Sequence, residues 1–281
     1  MTAWNDQLLN NPHAVADKRS RVQKMFAAIA PSYDLNNRLH SLWMDQRWRQ
    51  RAVELAMVER EDAVVDVACG TGDLTWGFYR KLDLNEDDRQ ELSWEGLAPN
   101  VIGIDFTFAM LPIAVQKIPF DTWRALPTFI NGDAQALPLA DQSADVVSIA
   151  FGIRKVQDVP TALKEFHRVL RPNGRVIILE FSLPTNRVLR ALYNFYFRQI
   201  LPRTATLISG DKTGAYKYLP ESVNTFIGRE QMVQMMRDAG FERIEQFPMT
   251  FGVCVCYRGV KTNAEHESTR MNTNEHESRP N

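Results

Sequence analysis

Val64-Val65-Asp66-Val67-Ala68-Cys69-Gly70-Thr71-Gly72-Asp73 is the stretch that decides the fold. It reads as a buried strand running into a tight loop of small residues and then a helix. Glycines at a strand end let the backbone pass close to a bound ligand, because no Cβ stands in the way. The helix that follows opens with N–H groups that favour polar or anionic ligand atoms. The spacing is A-x-G-x-G, not the G-x-G-x-x-G of dinucleotide enzymes. That difference points away from a pyrophosphate and toward S-adenosylmethionine.

Outward from this loop, strand and helix patterns alternate. Strands are predicted at 63–68, 100–104, 127–131, 145–151 and 175–181. Helices are predicted between them near 73–81, 107–117, 134–137 and 159–170. Such alternation implies a doubly wound α/β fold, a parallel sheet with helices on both faces. Further strands at 242–248 and 251–258 read as an antiparallel pair, which makes the sheet seven-stranded and mostly parallel. A helix at 229–239 precedes them and ends on Gly240 as a C-cap. The hydrophilic segment 83–99 reads as a surface insertion in the first crossover.

Residues 21–261 read as one domain. Within it, residues 21–58 are helical and amphipathic, broken by Pro31, and form a substrate-side cap. Residues 1–20 carry weak signals and read as a flexible N-terminus. The tail 262–281 is polar, near-repeats Glu-His-Glu-Ser, and reads as disordered. A stretch from 186 to 209 is helical and rich in aromatics and leucine.

The chain has 281 residues, 44% of them hydrophobic, and a formal net charge of −1. That charge gives no global attraction to nucleic acid, and no N/D-P-P-Y type motif is present. Three cysteines (Cys69, Cys254 and Cys256) are too few for a disulfide framework. They fit a reducing, cytoplasmic setting. Cys254 and Cys256 point to one face of a strand and read as small core residues rather than metal ligands. No signal peptide or spanning apolar run is visible, so contact with a membrane would be peripheral, at its inner face.

An open α/β sheet binds ligands at the carboxyl ends of its strands. Asp66 lies in the first strand, and Gly70, Thr71 and Gly72 in the loop after it. Asp105 follows the second strand and can accept both hydroxyls of a ribose, because a carboxylate offers two acceptor oxygens. Asp133, followed by Ala134, ends the third and can accept from an adenine amine. Each acid alone could merely cap a helix. Three at successive strand ends beside a glycine loop make a nucleoside pocket. A nicotinamide cofactor would want its acid ~20 residues after the glycines, and Asp105 lies 33 positions beyond Gly72.

Further blocks carry a family resemblance over about 22–260. They are Tyr33-Asp34-Leu35-Asn36-Asn37 through Trp48, Asp133 to Pro138, Phe151-Gly152-Ile153-Arg154, Arg168 to Arg175 leading into Leu179-Glu180-Phe181-Ser182, and Tyr216-Lys217-Tyr218-Leu219 with Glu221-Ser222. With these the chain resembles the ubiquinone/menaquinone biosynthesis C-methyltransferases. The resemblance implies a class I, Rossmann-like S-adenosylmethionine-dependent fold. It implies methyl transfer from S-adenosylmethionine to a ring carbon of a prenylated quinol, demethylmenaquinol giving menaquinol. The benzoquinol precursor of ubiquinone is the alternative acceptor, and a non-catalytic nucleoside- or lipid-binding module is a further one. Thr71, Asp105, Asp133 and Ala134 occupy the positions that contact the methyl donor. No metal is implied, and a homodimer is compatible with the resemblance.

Four departures stand out. Ala150 replaces a serine that contacts the donor, Ala68 replaces the first loop glycine of many methyltransferases, Asn36 replaces a methionine, and Asp45 replaces a histidine. For the chemistry, Arg154 is the candidate stabiliser of a developing phenolate and an alternative base. Asp34 is a candidate base or a holder of Tyr33. Tyr33 and Tyr216 are candidates on the acceptor side, and His40 is a weak candidate base. The N-terminal helices and the aromatic stretch 189–201 offer an apolar path for the isoprenoid tail, and an exposed face there would meet the bilayer surface.

Overall fold

The computed structural model describes residues 4–83, 100–117 and 126–262. Strand β1 (Val64–Val67) lies inside its sheet, between two parallel neighbours, and is buried at all four residues, as a strand covered on both faces must be. The sheet has seven strands in the order β3-β2-β1-β4-β5-β7-β6. These are β2 (Val101–Asp105), β3 (Thr128–Asn131), β4 (Ala144–Ala150), β5 (Leu170–Phe181), β6 (Phe241–Met249) and β7 (Cys254–Lys261). Every pair from β3 to β5 is parallel, and β7 is antiparallel to both β5 and β6. The expected doubly wound, mostly parallel sheet is therefore present.

Period-two alternation sorts the strand residues into two cores. Val65, Val67, Val147, Ile149, Val176 and Ile178 face α7 (Val159–Val169) and α11 (Arg229–Asp238). Val64, Val146, Ile177 and Leu179 face α4 (Met44–Ala56) and α5 (Asp73–Asp83). Cys254 and Cys256 share this second core, on one face as expected. The chain reverses direction across the sheet between β1 and β4, and ligands in such folds bind at that switch point.

A third core lies over the carboxyl ends of the strands. It joins α2 (Lys18–Ile29) to the pair α9 (Leu201–Ser209) and α10 (Ala215–Asn224). The helical region 21–58, expected to break at Pro31, is thus three helices. Pro31 sits in a 3-10 turn before α3 (Tyr33–Ser41), and Leu42 and Trp43 take left-handed backbone between α3 and α4.

Several expectations are corrected. The first described residues, from Trp4, are packed, not loose. A short helix, α1 (Asp6–Leu9), is present, and Trp4 is 2% exposed with its ring stacked on Tyr218 at 4.4 Å. Residues 134–137 form a turn closed by an Asp133–Ala136 bridge rather than a helix, since the Asp133 side chain accepts from the Gln135 N–H. The helix at 107–117 starts as a 3-10 turn and is helical only over α6 (Leu111–Gln116). Helix α10 was not expected, because Pro220 inside it hides the helical pattern. The aromatic stretch is α8 (Arg187–Phe195) joined to α9 by a π-turn, and Pro202 falls in the first turn of α9. The insertion beyond Asp83 and the tail beyond Thr262 lie outside the described residues.

Candidate active site

The loop after β1 takes left-handed backbone at Ala68 (φ 52°), Gly70 (57°) and Gly72 (79°). A Cβ on Gly72 would come 2.9 Å from Ala114 Cβ, so the close packing of loop on α6 needs glycine. A Cβ on Gly70 would meet nothing within 4 Å, because that residue faces open cavity. Asp105 orients this loop. Its two carboxylate oxygens accept the Gly70 and Thr107 N–H groups at 2.8 and 2.7 Å. Burial raises the Asp105 pKa against these two hydrogen bonds. A carboxylate has about four acceptor sites, so capacity remains on the cavity side.

Asp66 lies one strand-width away and is fully buried. It accepts from Thr75 Oγ1 at 2.7 Å and Ser148 Oγ at 2.8 Å. Burial pushes its carboxyl up to about 6, only partly offset by those two hydroxyls. Asp133 accepts from the Gln135 N–H and pairs with Arg19 at 2.8 Å. Asp66, Gly70, Thr71, Asp105, Asp133 and Ala134 all line one cavity, and Gly72 buttresses its loop. An acid held by backbone N–H groups, a second acid beside Ala134, and an open glycine face fit a nucleoside with a charged sulfonium.

The roof of this cavity comes from the N-terminal helices. Arg19 lies over the Phe106 ring at 4.3 Å, and Gln23 donates to the Phe106 carbonyl. Thr71 Oγ1 donates to Asp34 at 2.6 Å, and Lys117 bridges Asp34 and Asp73. Burial opposes ionisation of Asp73, yet the charges of Arg49 and Lys117 hold its pKa below the usual carboxylate range. Asp34 is thereby part of a latch on the loop and lines neither cavity, so its expected place beside the acceptor is corrected. The N-terminal helices serve both cavities, not the acceptor side alone.

A second cavity adjoins the first, and Tyr33 and Arg49 line both. Its walls are aromatic. Phe151 and Phe181 lie 4.6 Å apart, and Trp48 packs edge-on to Phe181 and donates Nε1–H to Thr250. Arg49 stands over the Phe151 ring and pairs with the buried Asp45. That gives a role to the aspartate found in place of the family histidine.

Arg154 lines this cavity and is 2% exposed. Its guanidinium pairs with the equally buried Glu180, and it also donates to the Phe151 carbonyl and to Ser222 Oγ. A charge so paired is a fixed electrostatic element, and the reading of Arg154 as a base loses its support. Tyr33 packs edge-on to Phe26, and burial raises its pKa. His40 bonds the Asn36 carbonyl and Thr204 through its two ring nitrogens. Tyr216 is buried in the third core and lines neither cavity.

Sequence reasoning assigned no role to Arg19, Arg49, Lys155 or Glu180. Glu180 and Arg49 lay in or beside quoted blocks. The missing signal was an excess of buried charge, which has to find a partner across the fold.

The ubiE/COQ5 methyltransferase family model matches residues 14–261. A ubiquinone/menaquinone biosynthesis C-methyltransferase from Geotalea uraniireducens is 37% identical over 247 residues, covering 88% of this chain and 99% of that protein. A demethylmenaquinone methyltransferase from Deinococcus radiodurans is 41% identical over 245 residues, covering 87% and 94%. Among solved structures, a putative methyltransferase from Haloferax volcanii in complex with its Trm112 activator superposes with a TM-score of 0.55 at 18% identity, covering 85% of this chain and 98% of its own. An S-adenosylmethionine-dependent methyltransferase from Thermotoga maritima gives 0.53 at 19% identity, covering 86% and 100%. These likenesses place the fold with the class I, Rossmann-like methyltransferases. The chain belongs to the ubiE/COQ5 methyltransferase family.

Proposed function

We propose that this S-adenosylmethionine-dependent C-methyltransferase of quinone biosynthesis methylates a ring carbon of reduced demethylmenaquinone, giving menaquinol. One observation carries the reading: a cavity lined by Asp66, Asp105 and Asp133 and an aromatic cavity share the wall made by Tyr33 and Arg49. Names given to relatives support the acceptor class. When bound, S-adenosylmethionine supplies an electrophilic methyl group.

In this reading Asp105, Asp133 and Ala134 bind the nucleoside. Gly70, Thr71 and Gly72 set the loop, and Asp66 fixes the strand end below it. Asp34 positions Thr71. The guanidinium groups of Arg154 and Arg49, fixed by Glu180 and Asp45, offer their donors to the quinol oxygen and favour its phenolate. Phe151, Phe181 and Trp48 exclude water, and Tyr33 orients the acceptor against the donor. Residues 21–58 act as the cap that brings the two ligands together.

The isoprenoid tail leaves by the apolar rim. Leu42, which lines the aromatic cavity, is 80% exposed, and Phe251, next to the lining Thr250, is 81% exposed. Leu192, Phe195 and Leu207 are also exposed, on α8 and α9. No helix among the described residues is long and apolar enough to cross a membrane. Peripheral docking of this rim at a bilayer, on the inner face, would hand the quinol to the cavity.

The test is a methylation assay with labelled S-adenosylmethionine, offering demethylmenaquinol and the prenylated benzoquinol precursor side by side with mass detection. Transfer to the naphthoquinol is expected. Transfer to neither would reject the enzyme reading, and transfer to the benzoquinol alone would replace the acceptor.

A further inference from the structure

A third cavity, of about 240 Å³, lies where the end of β5 meets the start of α11. It adjoins the aromatic cavity at Phe181 and Val223 but has a polar lining of its own, Glu180, Ser182, Thr185, Arg190, Arg229 and Tyr257. Neither of its two arginines has an ion pair among the described residues. Arg190, on α8, donates only its Nε–H, to the Pro184 carbonyl at 2.9 Å. Arg229 donates to Ser182 Oγ at 2.8 Å and to the Gly252 carbonyl at 2.9 Å, which fixes its guanidinium. A guanidinium carries more donors than these bonds use, so both arginines keep N–H groups for a ligand.

Two further donors converge on the same space. Tyr257, on β7, is 4% exposed, and its phenol hydroxyl bonds nothing among the described residues. A tyrosine hydroxyl buried that deeply usually has a partner. Helix α11 begins at Gly228, which lines the cavity and has no side chain to cap the helix. The N–H groups of its first turn are left to an outside acceptor, and such a helix start favours an anion. Glu180 is the one carboxylate in the lining, and its oxygens already accept from Arg154 and from the Phe181 N–H. Glu230 adds an acid to the first turn of α11 but lies outside the lining.

We infer that this cavity is a second ligand site, which takes a phosphate group. A phosphate presents several acceptor oxygens at tetrahedral angles, and these donors reach it from three directions, α8, α11 and β7. The inference holds whichever quinol is methylated. Two sources carry this chemistry, a free phosphate compound and the headgroup of an anionic phospholipid. Helix α8, which bears Arg190, also exposes Val188, Leu192 and Phe195, so a headgroup can reach the site as readily as a free ion.

The test is a calorimetric titration of inorganic phosphate into the full chain at an ionic strength held constant with chloride. The protein is first saturated with S-adenosylhomocysteine, so that the nucleoside cavity is filled. Wild type is compared with Arg190→Gln, at an exposed position, and with Tyr257→Phe, which keeps the buried ring. A second arm measures sedimentation of the same proteins with vesicles of phosphatidylglycerol, and of phosphatidylcholine as the control without net charge. Saturable binding of one phosphate is expected in the wild type. Each variant removes a donor to an anion and should weaken binding about tenfold. Weaker phosphate binding in both variants, with vesicle binding unmoved, assigns the site to a free phosphate compound. Weaker phosphatidylglycerol binding in both assigns it to a lipid headgroup. Binding of neither probe, or binding that either variant leaves unchanged, would overturn the site. No quinol enters these measurements, so their failure is distinct from a failure of the methylation assay.

Discussion

The cavities proposed for donor and acceptor share two side chains, Tyr33 and Arg49, but are built by opposite means. The donor cavity is held mostly by backbone. Its loop is shaped by left-handed residues, and Asp105 grips two backbone N–H groups. The acceptor cavity is held by side chains drawn from distant parts of the chain. Trp48 reaches Thr250 across 202 positions, and Arg154 reaches Glu180 and Ser222. The first kind of site is sensitive to small changes at a few adjacent positions. The second depends on whole aromatic rings and on a buried charge pair.

The largest expected effect therefore falls on the acceptor side. Arg154→Met leaves Glu180 charged and buried without a partner, which should cost about 3–5 kcal/mol of stability in urea unfolding. Replacing both partners, as Arg154→Met with Glu180→Leu, should recover most of that stability but not the methylation. A double variant with full methylation would show that the pair is structural only.

Next comes the donor side. Asp105→Ala strands the N–H groups of Gly70 and Thr107, at about 1–3 kcal/mol each for an unmet buried donor. Calorimetry should show S-adenosylmethionine affinity lowered by roughly tenfold to a hundredfold, at 1.4 kcal/mol per tenfold, with the urea midpoint lowered as well. Unchanged affinity would remove Asp105 from the nucleoside pocket.

Asp66 gives a pH signature. Its carboxyl is raised from 3.8 to about 6 in the fold. The folded state therefore holds a proton that the unfolded chain has lost. Its favourable contribution is complete below the unfolded value and disappears as pH rises through about 6. Asp66→Asn should flatten this part of the stability–pH curve and raise stability at pH 7 by up to ~3 kcal/mol. Urea unfolding at pH 4, 5.5 and 7 measures it, and an unchanged slope would contradict it.

The smallest effect is expected at the latch. Asp34→Asn weakens the Lys117 pair and the Thr71 bond, and a charge-assisted hydrogen bond is worth about 1.5–3 kcal/mol at most. The donor KM should rise several-fold with kcat nearly unchanged, because Asp34 lines neither cavity. A fall in kcat alone would return Asp34 to the acceptor side.

The same contrast explains what could be read from the chain. The donor loop and the acids at Asp105 and Asp133 were legible because their spacing reflects the strand–loop–helix repeat itself. All seven strands were placed within a few residues, β5 being longer at its start because it follows α7 without a gap. The acceptor cavity carries no local period. Its members come from α3, α4, the turn after β4, β5, the π-turn, α9, α10 and the turn at Thr250, and only folding makes them neighbours. Family resemblance pointed to Arg154, but its partner Glu180 follows from the need to neutralise a buried guanidinium. The role of Asp34 was misjudged for the same reason, since its partner Thr71 lies 37 positions away. The packed N-terminus was hidden because Trp4 finds Tyr218 only in three dimensions.

The central claim is that donor and acceptor occupy separate cavities joined at Tyr33 and Arg49. The direct measurement is a calorimetric titration of a short-chain naphthoquinone into protein already saturated with S-adenosylhomocysteine. The quinone should bind with the nucleoside in place, giving a ternary complex with one molecule of each. Displacement of the nucleoside by the quinone would show that the two share a single site and would contradict the account.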